Sequence, residues 1–165
     1  MLSSKRNSTS KAILPVLTRL QKISNNAKLT KNANKLIGDD TWYNCWGFTA
    51  YTFQWLKTLD WIEEEKMEFC LEEYTEKVKT PKAGDIFVMR DDCGILLHTG
   101  ILMDFKKKKI IHKPGHFELE VNNINGAQRV YGKQKISYRR ALPNKKFNSK
   151  KYEKSDYFYI DYYEN

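Results

Sequence analysis

Three residues in this chain have the types and settings to do chemistry together: Cys45, His98 and His112. Cys45 follows the loop Thr41-Trp42-Tyr43-Asn44 and opens a stretch with amphipathic helical spacing. Backbone N–H groups at a helix start lack internal partners, and the positive end of the helix dipole lies there. Both effects favour thiolate over thiol. A cysteine so placed beside a histidine can titrate as low as about 3.5–7.5. If Cys45 is activated in this way, a cysteine-reactive probe should label it preferentially near neutral pH. The same N–H groups could hold an oxyanion. The competing reading of Cys45 alone is a small buried residue without chemistry.

His98 shifts that balance. It interrupts the apolar run Ile95 to Met103, where an ionisable ring is out of place unless something needs it. Strand alternation puts Leu96, His98, Gly100 and Leu102 on one face. Gly100 leaves that face open, so His98 has room toward a neighbouring element. His112 lies on the expected return strand of the same hairpin. With the hairpin tip near Phe105, the two histidines fall opposite each other, their Cβ atoms roughly 4.5–5.5 Å apart. That arrangement suits a base, His98, oriented by a polar residue behind it, His112. A lone core histidine bonded to a carbonyl is the bland reading, but it does not explain the pair. A zinc site from Cys45, His98 and His112 is the rival. It lacks the short local spacing of structural zinc ligands, so no metal is expected. Cys93, in the turn Asp92-Cys93-Gly94, has no helix to activate it, and Cys70 reads as core. Three cysteines at irregular spacing make no disulfide framework.

The elements that must position these groups follow from patterning. Residues 1–11 read as a flexible polar leader. Ala12 to Leu29 has helical spacing, with Ser10 as N-cap and Pro15 in the first turns. A second helix starts at Asn44 or Cys45, on the stripe Phe48, Tyr51, Thr52, Trp55, Leu56 and Leu59. Trp61 to Tyr74 is helical in part. After Pro81 the character changes. The turn Pro81-Lys82-Ala83-Gly84 precedes a strand at Asp85 to Met89, and Ile95 to Met103 is the next strand. Asp104 to Lys107 is a hairpin tip and Lys109 to Lys113 its return. Phe117 to Val121 alternates, and Gln128 to Tyr131 is expected to pair with Lys135 to Ala141 around Gly132. Helices first and an antiparallel meander after them make an α+β domain over residues 12–142. A basic and aromatic tail, 143–165, follows, with an edge strand at Tyr157 to Ile160.

The 165 residues carry 29 Lys+Arg against 20 Asp+Glu, a formal net charge of +9. That excess suits an anionic polymer or an acidic surface. No recognised nucleic-acid motif accompanies it, which argues against a nucleic-acid partner. No stretch approaches the roughly 18 apolar residues of a transmembrane helix. The polar start of the chain does not read as a signal peptide. Synthesis in the cytoplasm is expected, with export or release by another route left open.

Four segments resemble one known family. Asn44-Cys45-Trp46-Gly47-Phe48, Pro81-Lys82-Ala83-Gly84-Asp85-Ile86-Phe87-Val88, His98-Thr99-Gly100-Ile101-Leu102 and Ile110-Ile111-His112 look like the NlpC-type peptidases (the NlpC and p-sixty family). In that family a cysteine opens a helix, a Pro-x-x-Gly-Asp turn starts a strand, and a His-x-Gly-Ile strand brings the base. The resemblance spans roughly residues 41–115, and the four pieces occur in the family's order. It implies a papain-like fold with N-terminal helices on an antiparallel sheet. It also implies Cys45 as nucleophile, His98 as base and His112 as the orienting residue. Where many members have Asp-Cys-Ser-Gly, this chain has Asn44-Cys45-Trp46-Gly47, which puts a large ring beside the nucleophile.

The function so implied is thiol hydrolysis of an amide or peptide bond, foremost in a peptidoglycan peptide stem, without a cofactor. A lysis factor or a delivered toxin with a neutralising immunity partner would fit. Trp42, Tyr43 and Trp46 are the expected cleft-lining side chains, with plain core packing as the alternative for each. An intracellular hydrolase or acyltransferase on a protein, peptide or lipid is the second reading. A basic binding module without turnover is the third.

Overall fold

The structure, a computed structural model, describes residues 43–115, 119–132 and 134–158. The expected leader and first helix, and Trp42, lie outside these residues, as does His116. The elements in chain order are α1 (Cys45–Thr52), α2 (Glu64–Tyr74), β1 (Thr75–Lys77), β2 (Ile86–Arg90) and β3 (Leu96–Asp104). They continue with β4 (Lys109–His112), β5 (Glu120–Asn123), α3 (Ile124–Tyr131), β6 (Lys135–Ala141) and α4 (Ser149–Tyr152). The strands form one six-stranded antiparallel sheet in the order β1-β6-β2-β3-β4-β5. The α+β class expected from the sequence is the class observed.

Helix α1 starts where the sequence places it. The Asn44 side chain accepts a hydrogen bond from the Gly47 N–H at 2.8 Å, an N-cap that satisfies one orphan donor of the first turn. The helix ends at Thr52, earlier than its apolar stripe implied. Gln54 takes a left-handed conformation (φ 59°), and the N–H groups of Gln54 and Trp55 bond back to the carbonyls of Tyr51 and Ala50. Those paired bonds close the helix as a Schellman motif without the usual glycine. Trp55, Leu56 and Leu59 therefore belong to the following loop. Trp55 still enters the core, with 3% of its surface exposed.

Both faces of the sheet are covered. On one face Ile86, Val88 and Leu96 pack against Met67, Phe69 and Leu71 of α2, while Ile101, Met103 and Ile111 pack against Phe48 of α1. On the other face Phe87, Met89, Leu102 and Ile110 pack against Ile124 and Ala127 of α3. Each of these Ile, Val, Leu, Phe and Met side chains contributes roughly 1.5–3 kcal/mol.

Helix α3 corrects one expectation, since Gln128 to Tyr131 is helical and pairs with no strand. The Asn123 side chain caps it by accepting from the Gly126 N–H at 2.7 Å. The partners of β6 are instead β1 and β2. Tyr157 and Phe158, expected in an edge strand, are helical and pack with Tyr152 against the α2 core.

The Pro81 turn anchors the start of β2. Gly84 is left-handed (φ 93°), a conformation that glycine adopts without a Cβ penalty. The buried Asp85 carboxylate accepts from the Lys82 N–H at 2.8 Å and from Arg140 through two bonds of 2.9 Å. That fork ties the head of β2 to the end of β6.

Candidate active site

His98 and His112 project from the α3 side of the sheet and touch. His98 Nε2 lies 2.8 Å from His112 Nδ1, with both side chains fully buried. The expected face is right, but the register differs. The observed pairing is Ile101↔Ile111 and Leu102↔Ile110, and the turn at the tip runs over residues 105–108. Continued one step, that register puts His112 across from Gly100, so the histidines meet on the diagonal. Gly100 makes this possible, because a Cβ there would lie 2.9 Å from the His112 Cβ and 2.9 Å from the Ile111 carbonyl oxygen. The absent side chain is the gap through which the two rings meet.

A β-bulge changes one further neighbour. Met89 pairs with His98 but Arg90 pairs with Leu96, so Leu97 is the extra residue. Leu96 consequently turns to the α2 side, not to the face of His98.

The thiol comes from the other direction. Helix α1 lies on the opposite face from the histidine rings, bound to β3 through Thr99. The hydroxyls of Thr49 and Thr99 are 2.9 Å apart, and the Thr99 hydroxyl donates to the Cys45 carbonyl at 3.3 Å. Pairing between β3 and β4 stops at Ile101, so the flank of β3 at Thr99 is open. The backbone amides of Thr99, Trp46 and Cys45 itself favour the charged form of the Cys45 thiol. Cys45 and His98 are not hydrogen-bonded. His98 Nδ1 is buried without any partner.

Tyr131, from the end of α3, joins the two sides. Its ring stacks on His98 with centroids 4.5 Å apart, and its hydroxyl accepts from the Gly115 N–H at 3.2 Å. Burial pushes this phenol up to about 12, and the nearby Cys45 charge adds to the shift.

The electrostatics overturn one expectation. Burial pushes the Cys45 thiol up to about 11, against the pull of the three N–H groups and the Lys113 cation. The helix start does favour the thiolate, but desolvation outweighs it. Burial, followed by the His112 charge, pushes His98 down to about 3. At neutral pH the resting site is a neutral thiol and a neutral imidazole, not an ion pair.

Of the aromatic side chains expected in the cleft, the two among the described residues, Tyr43 and Trp46, are packed. Tyr43 is 6% exposed in the cluster with Phe48, Ile101 and Leu119. The Lys113 ammonium sits 4.7 Å over its ring. Trp46 packs against the α2 cluster, with its indole N–H buried and without a partner. Cys70 is fully buried, and Cys93 is exposed in its turn.

Sequence reasoning missed three residues. They are Tyr131, Lys113 and Glu120, whose carboxylate lies 3.1 Å from His112 Nε2. The adjacency of Lys113 to His112, the alternation around Glu120 and the helical spacing of Tyr131 from Ile124 and Ala127 were the signals available. Among the described residues no group of three His, Cys, Asp or Glu side chains is placed to hold a metal ion. No helix among them is long and apolar enough to cross a membrane.

Comparison of the chain with protein-family models, with curated proteins and with solved structures finds no match in any of the three. The class is therefore defined by the chain itself. It is an α+β domain with a six-stranded antiparallel sheet that carries a buried histidine pair on one face and a helix-start cysteine on the helix against the other.

Proposed function

We propose that this protein is a papain-like cysteine hydrolase of the NlpC type, cleaving an amide or peptide bond with Cys45 as nucleophile, His98 as base and His112 as the residue that orients the base. One observation carries the reading. His98 uses Nε2 on His112 and keeps Nδ1 buried and without a partner, next in the chain to Thr99, whose hydroxyl donates to the Cys45 carbonyl. A buried nitrogen left open is costly unless it serves something.

The chemistry starts from neutral groups. Substrate entry brings the Cys45 Sγ–H to His98 Nδ1. As sulfur attacks the carbonyl carbon, its proton passes to Nδ1 and the carbonyl π pair moves onto oxygen. N–H groups at the start of α1 stabilise that oxyanion. The intermediate collapses, the C–N bond breaks, and the Nδ1 proton leaves with the amine. Water then gives a proton to Nδ1 and attacks the thioester, releasing a carboxylic acid and restoring the thiol. Concerted transfer suits this site, because a free thiolate is disfavoured by burial.

The substrate favoured is a peptidoglycan peptide stem. The resemblance in four ordered segments supports it, and the net charge of +9 suits an anionic wall polymer. The test is digestion of purified sacculi, with released fragments read by mass. Wall cleavage that disappears in Cys45→Ala and falls roughly 10²–10⁴-fold in His98→Ala is the expected result. Cleavage that survives Cys45→Ala overturns the mechanism. Intact sacculi beside turnover of a protein or lipid ester would move the enzyme to an intracellular substrate.

A further inference from the structure

Three side chains, not two, form the polar line that starts at His98. From the α3 side of the sheet it runs His98, His112, Glu120. The last two are cross-strand partners in β4 and β5. Glu120 Oε1 stands 3.1 Å from His112 Nε2, within ion-pair distance though outside hydrogen-bond geometry. The Asn122 side-chain amide donates to the same oxygen at 3.1 Å and holds the carboxylate in place. We infer that Glu120 is a positioning residue that fixes the proton arrangement of both histidines, so that His98 Nδ1 is left as a bare lone pair. This deepens the hydrolase reading and rests on it for its catalytic meaning.

The argument is one of donors and acceptors. An ionised carboxylate only accepts. The His112 nitrogen nearest it, Nε2, is therefore the one assigned the proton. In a neutral ring that leaves His112 Nδ1 as a lone pair. Nδ1 is 2.8 Å from His98 Nε2, so His98 Nε2 must donate. His98 is held neutral by burial, so its Nδ1 is then a bare lone pair. Without the carboxylate the chain can run backward. His112 Nδ1–H would donate to His98 Nε2, and a protonated His98 Nδ1 could not take a proton from sulfur. A tautomer set by an outer carboxylate is the known logic of metal-bound histidines, where losing the outer group costs about 10–100-fold.

The side chain of Glu120 is 42% exposed, and its replacement leaves the buried sheet faces intact. The experiment is a long-range ¹⁵N–¹H correlation spectrum of the histidine rings in the full chain, assigned with single His→Gln variants. In the parent protein His98 and His112 should each show a proton on Nε2 and none on Nδ1. Glu120→Leu should move His112, and with it His98, toward the Nδ1–H form. Glu120→Gln, which keeps a carbonyl acceptor, should largely retain the parent pattern. Where sacculi are cleaved, Glu120→Leu should lower turnover about 10–100-fold with an unchanged melting temperature.

A proton on His98 Nδ1 in the parent overturns the inference, and that reading needs no variant to fold. Unchanged tautomers in a folded Glu120→Leu overturn it as well. Sacculi left intact while the tautomers move as described would refute the substrate reading and leave the role of Glu120 standing.

Discussion

Gly100 and His112 approach so closely that a Cβ on the glycine would lie 2.9 Å from the Cβ of the histidine. Real side chains do not pack at that distance, so Gly100→Ala must push β3 and β4 apart or turn the His112 ring. The expected cost is about 1–3 kcal/mol, typical of overpacking in a filled core. Urea unfolding measures it. The same variant should weaken the His98–His112 contact, seen as a shift of both ring signals. Unaltered stability together with unaltered ring signals would mean that the strands have slack there.

The thiols should react in an order that differs from the one their sequence settings imply. Cys93 is exposed and should take an alkylating reagent first at neutral pH. Cys45, with its thiol pushed up to about 11, should react slowly at neutral pH and about tenfold faster for each unit of pH toward that value. Cys70, pushed up to about 12 and fully buried, should stay silent until the protein opens. Mass-resolved labelling across pH tests this. Fast labelling of Cys45 at neutral pH would show that the site stores a thiolate.

Acid should destabilise the fold through His98. Its folded value of about 3 lies below the ordinary 6.5, so the unfolded chain binds the extra proton between those limits. Stability from this group is whole above pH 6.5 and is lost as pH falls toward 3. The slope is at most about 1.4 kcal/mol per pH unit. Denaturant midpoints measured at pH 7, 6, 5 and 4 should fall less steeply in His98→Gln than in the parent. Parallel curves would place the acid sensitivity elsewhere.

Lys113 should act on sulfur through its charge. It is buried beside Tyr43 and favours the Cys45 thiolate, while burial lowers its own proton affinity and the Cys45 charge raises it. Lys113→Met should raise the Cys45 pKa further and slow its labelling about threefold, equivalent to half a pKa unit. Lys113→Arg should restore most of the rate. An equal loss in both variants would indicate a packing effect.

Much of this site was readable in advance because a strand's side chains alternate strictly. The parity of His98 and His112 fixed their shared face, and that survived a register error of two residues. The register itself depends on the turn over residues 105–108 and on the irregularity between Leu102 and Asp104. Neither has a sequence signature in a run of lysines. The bulge at Leu97 is equally silent, and it moves Leu96 to the opposite face.

The helices were read less evenly. The start of α1 carries a strong signal in Asn44, but its end has Gln54 where a glycine would have marked the stop. Helix α3 hides behind Asn125-Gly126, which reads as a turn. Ile124, Ala127 and Tyr131 do fall on one helical stripe, and that spacing was the available clue. The balance between helix-start stabilisation and desolvation at Cys45 could not be read at all, because it depends on how deeply folding buries the sulfur.

The open flank of β3 at Thr99 divides the centre into two halves with different histories. The imidazole half is local: His98 and His112 are 14 residues apart and share one hairpin. The sulfur half must be brought in across 54 residues, from Thr99 back to Cys45. Closing the longer loop costs about 1 kcal/mol more chain entropy. The hairpin can therefore assemble its rings at lower entropic cost than the contact of Thr49 and Thr99 that seats the helix start on the sheet.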